Sequence, residues 1–381
     1  VLKLNQTESK TTKAKQSKEE GVETMRHYNL AVIKGDGIGK EVIPQGLDTL
    51  LKLAQLYADF KVETTEFDWG SERYLSQGAL MPADGLKLLE QAGFDAILLG
   101  PIGDPRIPDH LTLWGLLLPL RQGFDQYVNL RPIKLLPGVN SPLKDKQPAD
   151  IDIICVRENT EGEYAGVGGR THQGTENEVA IQSIVFTRKG TERIIRYAFD
   201  YAKTHQRSKV TSATKSNSMQ HNMVFWDQVY QQVAEEYPQI KSEQQLIDSL
   251  SARFVSEPQS LDVVVASNLF GDILTDLGAA LAGSMGLAPS ANLNPERRYP
   301  SLFQAIHGSA PDIAGRGIAN PIATIWSVQL MLDYLGEQAA AATLMQAIEQ
   351  VLAQGQVRTP DLGGRATTLQ MSQAVQAALL K

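Results

Sequence analysis

The chain has 381 residues, 42% of them hydrophobic, which is more than one compact core usually holds and enough for two domains. Its 36 Lys and Arg against 43 Asp and Glu give a formal net charge of −7. That excludes a global basic field of the kind that binds nucleic acid or an anionic membrane, so any cationic site must be local. The single cysteine, Cys155, lies in the apolar run IDIICV, which leaves no intramolecular disulfide and no zinc-ligand spacing; a reducing, cytoplasmic setting is expected. No apolar stretch approaches the roughly 18 residues that cross a bilayer.

Residues 1–24 are polar, Lys-rich and low in aromatics, without an apolar secretory core, and four glutamates argue against a transit peptide. A disordered leader is expected there, with Met25 as a candidate native start. From Tyr28 onward, short β-rich runs alternate with longer helical patterns, the signature of a parallel sheet covered by helices. Strands are predicted at 28–33, 61–67, 95–100, 152–156, 209–214 and 262–267, with helices at 39–57 and 191–202 among those between them. The alternating stretch ENEVAIQSIVFTR (176–188) has no crossover helix and reads as an antiparallel arm of the kind that pairs with a second subunit.

The motifs each admit two readings. GDGIG (35–39) follows a strand and opens a helix, but its spacing is G-x-G-x-G, and no clear ribose-binding acid sits at the end of the next strand; a tight turn and a phosphate cradle both fit. Arg121, Arg131 and Arg157 stand near predicted strand ends, where guanidinium forks can clamp carboxylates or simply form surface ion pairs. Asp272 and Asp276, in NLFGDILTD, lie one helical turn apart, where like charges repel by roughly 0.2–0.5 kcal/mol. A hard divalent cation would turn that repulsion into joint coordination. The alternative, a favourable helix dipole worth about 0.3–1 kcal/mol, suits Asp272 better than Asp276. Tyr164 and Lys215 are acid/base candidates or structural residues. The small-residue loop HGSAPDIAGRGIANP (307–321) carries Asp312, suited to a ribose diol and hostile to a 2′-phosphate, or is an ordinary Gly/Pro loop.

As a set and in order, GDGIG, NLRP, RENTEGEY, ATKSN, NLFGDILTD and HGSAPDIAG resemble the β-decarboxylating dehydrogenases, the isocitrate/isopropylmalate dehydrogenase family, from about Tyr28 to the C-terminus. The resemblance implies an isopropylmalate dehydrogenase-like two-domain α/β fold with a mainly parallel central sheet, not a Rossmann fold. Residues 25–126 and 283–381 would form the large domain and 127–282 the small one. It implies a homodimer with shared active sites, NAD, and Mg²⁺ or Mn²⁺, with K⁺ an open further requirement. Arg121, Arg131 and Arg157 match the family's substrate-carboxylate arginines, Tyr164 its proton donor to carbon and Lys215 its base. Asp272 and Asp276 match metal ligands of one subunit, and Asp248 matches a ligand that, like Lys215, reaches across from the neighbour. His307, Gly308, Ser309, Ala310, Asp312, Ile313 and Asn320 match the NAD loop.

Gly115 and Leu117 stand where isocitrate enzymes carry serine and asparagine, so the resemblance points away from isocitrate, with Leu117 in the substrate-selecting position. PDHLTLWG, FDQYVNLRP and PSANLNPER look most like the tartrate/D-malate branch. D-malate or a tartrate is the expected dicarboxylate, with Trp114 narrowing the pocket. A 3-isopropylmalate dehydrogenase is the alternative, and a non-catalytic regulatory subunit is the alternative of another class.

Overall fold

The structure, a computed structural model, describes residues 25–380; the leader expected at 1–24 lies outside the described residues. Twelve strands are found among them: β1 (Arg26–Ile33), β2 (Phe60–Phe67), β3 (Ala96–Leu99), β4 (Val128–Lys134), β5 (Asp152–Glu158), β6 (Gly162–Thr171), β7 (Val179–Val185), β8 (Lys209–Thr214), β9 (Lys241–Leu246), β10 (Val263–Ala266), β11 (Pro289–Leu293) and β12 (Ser301–Ala305). Ten of them form one sheet in the order β2-β1-β3-β12-β11-β4-β5-β10-β8-β9. The outer four on each side are parallel among themselves. Three antiparallel pairings, β12–β11, β11–β4 and β4–β5, turn one parallel half into the other. The sheet is therefore mainly parallel, as expected, but reverses direction in its middle.

β1 shows why these runs are strands. Leu30 and Val32 enter the larger core, while Ala31 and Ile33 enter a second core with Leu80, Leu99, Leu116 and Phe124. Alternate residues thus bury on opposite faces, the mark of a strand covered by helices on both sides. The Gly39–Tyr57 helix has the predicted bounds and buries Val42, Ile43, Leu50 and Leu53 at helical spacing. All six predicted strands are present, with ends that agree to within two residues. The predicted arm contains β7, which pairs antiparallel with β6 in a separate two-stranded sheet and leaves Val167, Val179 and Ile181 about half exposed. No helix among the described residues is long and apolar enough to cross a membrane.

Candidate active site

The three arginines converge, and none is a surface residue: Arg121, Arg131 and Arg157 are 3%, 5% and 1% exposed. Arg157 is the penultimate residue of β5, Arg131 lies opposite Cys155 in the β4–β5 pairing, and Arg121 sits in the short helix Leu118–Gly123. Their common focus is Asp272, in the helix Asn268–Leu281 that follows β10. Asp272 Oδ1 accepts from Arg157 Nη1 and, at 3.2 Å, from Arg131 Nη1. Its Oδ2 accepts from Tyr164 Oη at 3.0 Å. Asp276, one turn on, stands 3.9 Å from Arg131 and turns its side chain outward. Asp272 is the fifth residue of its helix, beyond the first turn where the dipole acts, so the dipole reading of its place is corrected.

The helix contributes two residues that the sequence reading missed. Asn268 Oδ1 accepts from Arg157 Nε at 3.1 Å and Nη2 at 2.7 Å, and Thr275 Oγ1 accepts from Arg131 Nη1 at 2.6 Å. Their spacing from Asp272, four before and three after, was the available signal, since such positions share one helix face. Gly271 matters for the same geometry: a Cβ there would stand 2.6 Å from Arg157 Cγ, so the helix can approach the arginine stem only with glycine at this position.

Three guanidinium groups against two carboxylates leave the cluster with an excess positive charge in a buried setting. Burial, and then the repulsion of Arg157 and Arg131, pushes the Arg121 guanidinium well below its ordinary value, and Arg131 falls to about 10 for the same first reason. The Nε atoms of both are buried without a partner. Orphaned donors of this kind call for an anion. Burial opposes ionisation of Asp272, but Arg157, Arg131 and Arg121 outweigh it and hold its carboxyl below the usual range. Asp276 moves the other way, raised by burial and then by Asp272. Burial and the neighbouring Asp272 raise the Tyr164 hydroxyl, keeping it protonated at neutral pH.

Lys215 and Asp248 form their own ion pair, at 2.8 Å, between the end of β8 and the first turn of the helix Ile247–Ser256. Among the described residues no hydrogen bond or ion pair joins them to the arginine cluster, and no group of three His, Cys, Asp or Glu is placed to hold a metal. Among the described residues of one chain, Asp272 and Asp276 are paired hard donors without a third beside them.

The 307–320 loop packs on the GDGIG turn. Ile38 N donates to Ser309 O at 2.9 Å, and Ile38, Val42 and Ala319 enclose Ala310 and Ile313. Asn320 Nδ2 donates to Asp361 Oδ2 at 2.9 Å; Asp312 and Gly308 face solvent, and the buried His307 Nε2 lacks a partner. Asp361 was not foreseen. Of the two readings of GDGIG the turn prevails, because the amides of Asp36, Ile38 and Gly39 are already spent on protein carbonyls. Asp36 pins two neighbouring segments, accepting from Ser71 N at 2.8 Å, Ser71 Oγ at 2.6 Å and Gly103 N at 2.8 Å. A cleft of about 530 Å³ opens between this turn and the loop, lined by Gly37, Lys40, Gly103, Pro311 and Gly315. Gly37 has φ +51, and a Cβ on it would meet Ser309 O at 2.0 Å. Gly37→Ala is expected to cost about 1–2 kcal/mol from the left-handed backbone alone, with the clash added; urea denaturation checks this, and an unchanged midpoint would refute it.

Leu113–Leu117 forms a single π-helical turn, with Leu117 packed beside the second core. Such turns are frequent at functional sites. Trp114 lies over Gly166 of β6 and lines a second cleft, of about 510 Å³, shared with the arm.

Fold and cluster together define the class: an α/β protein of mainly parallel sheet with three buried arginines gathered around one aspartate. The sequence model described as isocitrate/isopropylmalate dehydrogenase matches residues 29–377. A probable tartrate dehydrogenase/decarboxylase of Agrobacterium vitis is 53% identical over 92% of this chain and 97% of its own. D-malate dehydrogenase [decarboxylating] of Escherichia coli K12 is 52% identical over 94% and 100%, and tartrate dehydrogenase/decarboxylase of Pseudomonas putida is 51% identical over 93% and 98%. The crystal structure of isocitrate dehydrogenase from Methylococcus capsulatus superposes with a TM-score of 0.81 at 34% identity, covering 93% of this chain and all of that one. The chain belongs to the isocitrate/isopropylmalate dehydrogenase family and is an oxidoreductase.

Proposed function

We propose that the protein catalyses the NAD-dependent, divalent-metal-dependent oxidative decarboxylation of D-malate to pyruvate and CO₂, and oxidises tartrate at the same site. The observation that carries this reading is the convergence of Arg121, Arg131 and Arg157 on Asp272 with Tyr164 hydrogen-bonded to the same carboxylate. The names of the relatives in Agrobacterium vitis, Escherichia coli and Pseudomonas putida support the choice of substrate.

The carboxylates of Asp272 and Asp276 suit a hard cation such as Mg²⁺ or Mn²⁺, with Asp248 of a second subunit as the third donor. When bound, it would supply Lewis acidity at the substrate hydroxyl and adjacent carboxylate. NAD at the loop of His307, Gly308, Ser309, Ala310, Asp312, Ile313 and Asn320 would supply the hydride acceptor; K⁺ is a candidate activator.

Every other task falls to the chain. The arginines bind and orient both substrate carboxylates, with their charge undiluted by water because they are buried. Lys215 from the second subunit takes the hydroxyl proton, and Tyr164, protonated at neutral pH, returns a proton to carbon after CO₂ departs.

The shared site requires a homodimer, which the half-exposed apolar residues of β6 and β7, together with Ile273 beside Asp272, support. A hinge between 25–126 with 283–381 and 127–282 is supported by the reversal of the sheet at β11 and β4. Cytoplasmic residence fits a reduced, buried Cys155.

Leu117 and Gly115 set the size of the substrate. A Cβ at 115 would meet Leu80 Cδ1 at 2.2 Å, so a serine there would require Leu80 to shift. The deciding experiment is NADH formation with Mn²⁺ and saturating NAD, comparing kcat/KM for D-malate, L-tartrate and 3-isopropylmalate. Preference for D-malate or tartrate is expected; preference for 3-isopropylmalate would overturn the substrate and leave the residue roles standing.

A further inference from the structure

The helix carrying Asp272 and Asp276 is capped in an unusual way. Its N-cap residue, Ser267, makes no side-chain bond to its own helix. Instead Ser267 Oγ donates to Glu163 Oε1 at 2.8 Å, and Leu269 N donates to Glu163 Oε2 at 3.0 Å. A carboxylate from β6, more than a hundred residues earlier in the chain, thus does what a serine cap normally does for itself. Glu163 is 8% exposed, and its charge faces the positive end of a fourteen-residue helix. The same segment is tied to the helix once more, where Asn268 Nδ2 donates to Glu161 O at 3.1 Å, and to β7, where Gln182 Nε2 donates to Glu163 O at 3.2 Å. Tyr164 is the next residue in the chain, and it reaches the same helix one turn further on, at Asp272.

We propose that Glu163 is a positioning residue that locks the Asn268–Leu281 helix to β6, fixing the metal-binding carboxylates relative to the proton donor Tyr164. The inference rests on the roles given to Asp272 and Tyr164 above. Two hydrogen bonds from one helix terminus, Ser267 Oγ and Leu269 N, both to one buried carboxylate, oppose sliding or rotation of the helix against the strand. Without them, Asp272 would follow the arginines while Tyr164 followed the arm. Because Gln182 lies in the half-exposed arm, the lock also passes the position of the arm to the site.

The test uses the full-length protein with Glu163→Ala, Glu163→Gln and Ser267→Ala. Mn²⁺ binding to the substrate-free protein is read by electron paramagnetic resonance, alongside steady-state kinetics on D-malate. Glu163→Ala is expected to weaken Mn²⁺ binding and to lower kcat by roughly tenfold each, the scale of losing a partner that orients a metal ligand. The KM for NAD, set at a different loop, should stay within about twofold. Glu163→Gln, which keeps one acceptor oxygen, should fall between wild type and alanine. Ser267→Ala leaves the carboxylate in place and gives a milder loss in the same two quantities, which keeps the test open if the alanine variant does not fold. Unchanged Mn²⁺ affinity and kcat across the folded variants would overturn the proposal, as would a loss that raises the KM for NAD equally, the mark of general loosening. Asp272→Asn separates this from the parent reading. If Asp272→Asn binds Mn²⁺ like wild type, the metal role of Asp272 is wrong; if it loses Mn²⁺ while Glu163→Ala does not, only the positioning role fails.

Discussion

Arg157→Ala is expected to abolish activity and to lower stability by about 3–5 kcal/mol, the range for removing one partner of a buried ion pair. Arg157 is 1% exposed and is bonded at once to Asp272 and Asn268, so truncation strands the Asn268 oxygen and leaves Asp272 without its strongest counter-charge. It also empties the space that its stem fills against Gly271. Arg157→Lys should recover part of the stability and little activity, because an ammonium cannot reproduce the fork that engages two side chains. Urea denaturation together with D-malate turnover measures both. A folded alanine variant within 1 kcal/mol of wild type, on the scale of a surface pair, would show that the pair is not the anchor described here.

The second large effect concerns the two aspartates, which should part company. Asp272→Asn is expected to lower kcat/KM by at least about 10²-fold, the scale of losing a principal electrostatic group, while circular dichroism reports a native fold. Its stability should also respond differently to acid. The Asp272 carboxyl is held below its unfolded value near 3.9 by the arginines, against the opposing effect of burial. Its stabilising contribution is therefore full above that value and is lost as pH falls through the lower, folded one. The asparagine variant has no such contribution to lose, so its stability should fall less steeply than that of wild type below about pH 4. Asp276 is raised instead, by burial and by Asp272. Asp276→Asn should thus gain about 0.2–0.5 kcal/mol by removing the repulsion across one turn, while losing activity. Equal activity of the wild-type protein in metal-stripped and Mn²⁺-supplied buffer would defeat the metal reading. A protein that keeps a destabilising carboxylate is retaining it for function.

What the sequence revealed and concealed follows from where the information lies. Asp272 and Asp276 were legible as a pair because helical spacing is local. The apolar runs at 152–156 and 262–267 were legible because strands buried on both faces read as continuous hydrophobic stretches. β4, β6, β9, β11 and β12 were missed. β9, KSEQQL, is a polar edge strand with its sheet neighbour on one side only. β4 carries Pro132 and two buried polar residues, Asn129 and Arg131, and β11 is fully buried although it reads PSANL. The amide nitrogens among those polar groups are paired within the sheet: Asn129 Nδ2 donates to Ser290 Oγ at 2.7 Å, and Asn159 Nδ2, just beyond β5, donates to Asn292 Oδ1 at 3.0 Å. Such pairing is tertiary and leaves no trace in periodicity. The arginines were visible as candidates, but their convergence, and the use of Glu163 as a cap, depend on which strands become neighbours.

The strand order has a consequence for how the molecule comes to exist. β4, β5, β8, β9 and β10 sit together and derive from one uninterrupted stretch of chain, so they can associate as soon as that stretch leaves the ribosome. β3 must wait, because its neighbour β12 is made roughly two hundred residues later, a pairing of high sequence separation that forms slowly. Until then β3 presents an unpaired edge of four fully buried-type apolar residues, AILL, to the cytosol or to a chaperone. Nascent chains stalled before residue 301 should therefore be the aggregation-prone species during synthesis, and the half of the sheet that holds β1, β2, β3 and β12 is completed last.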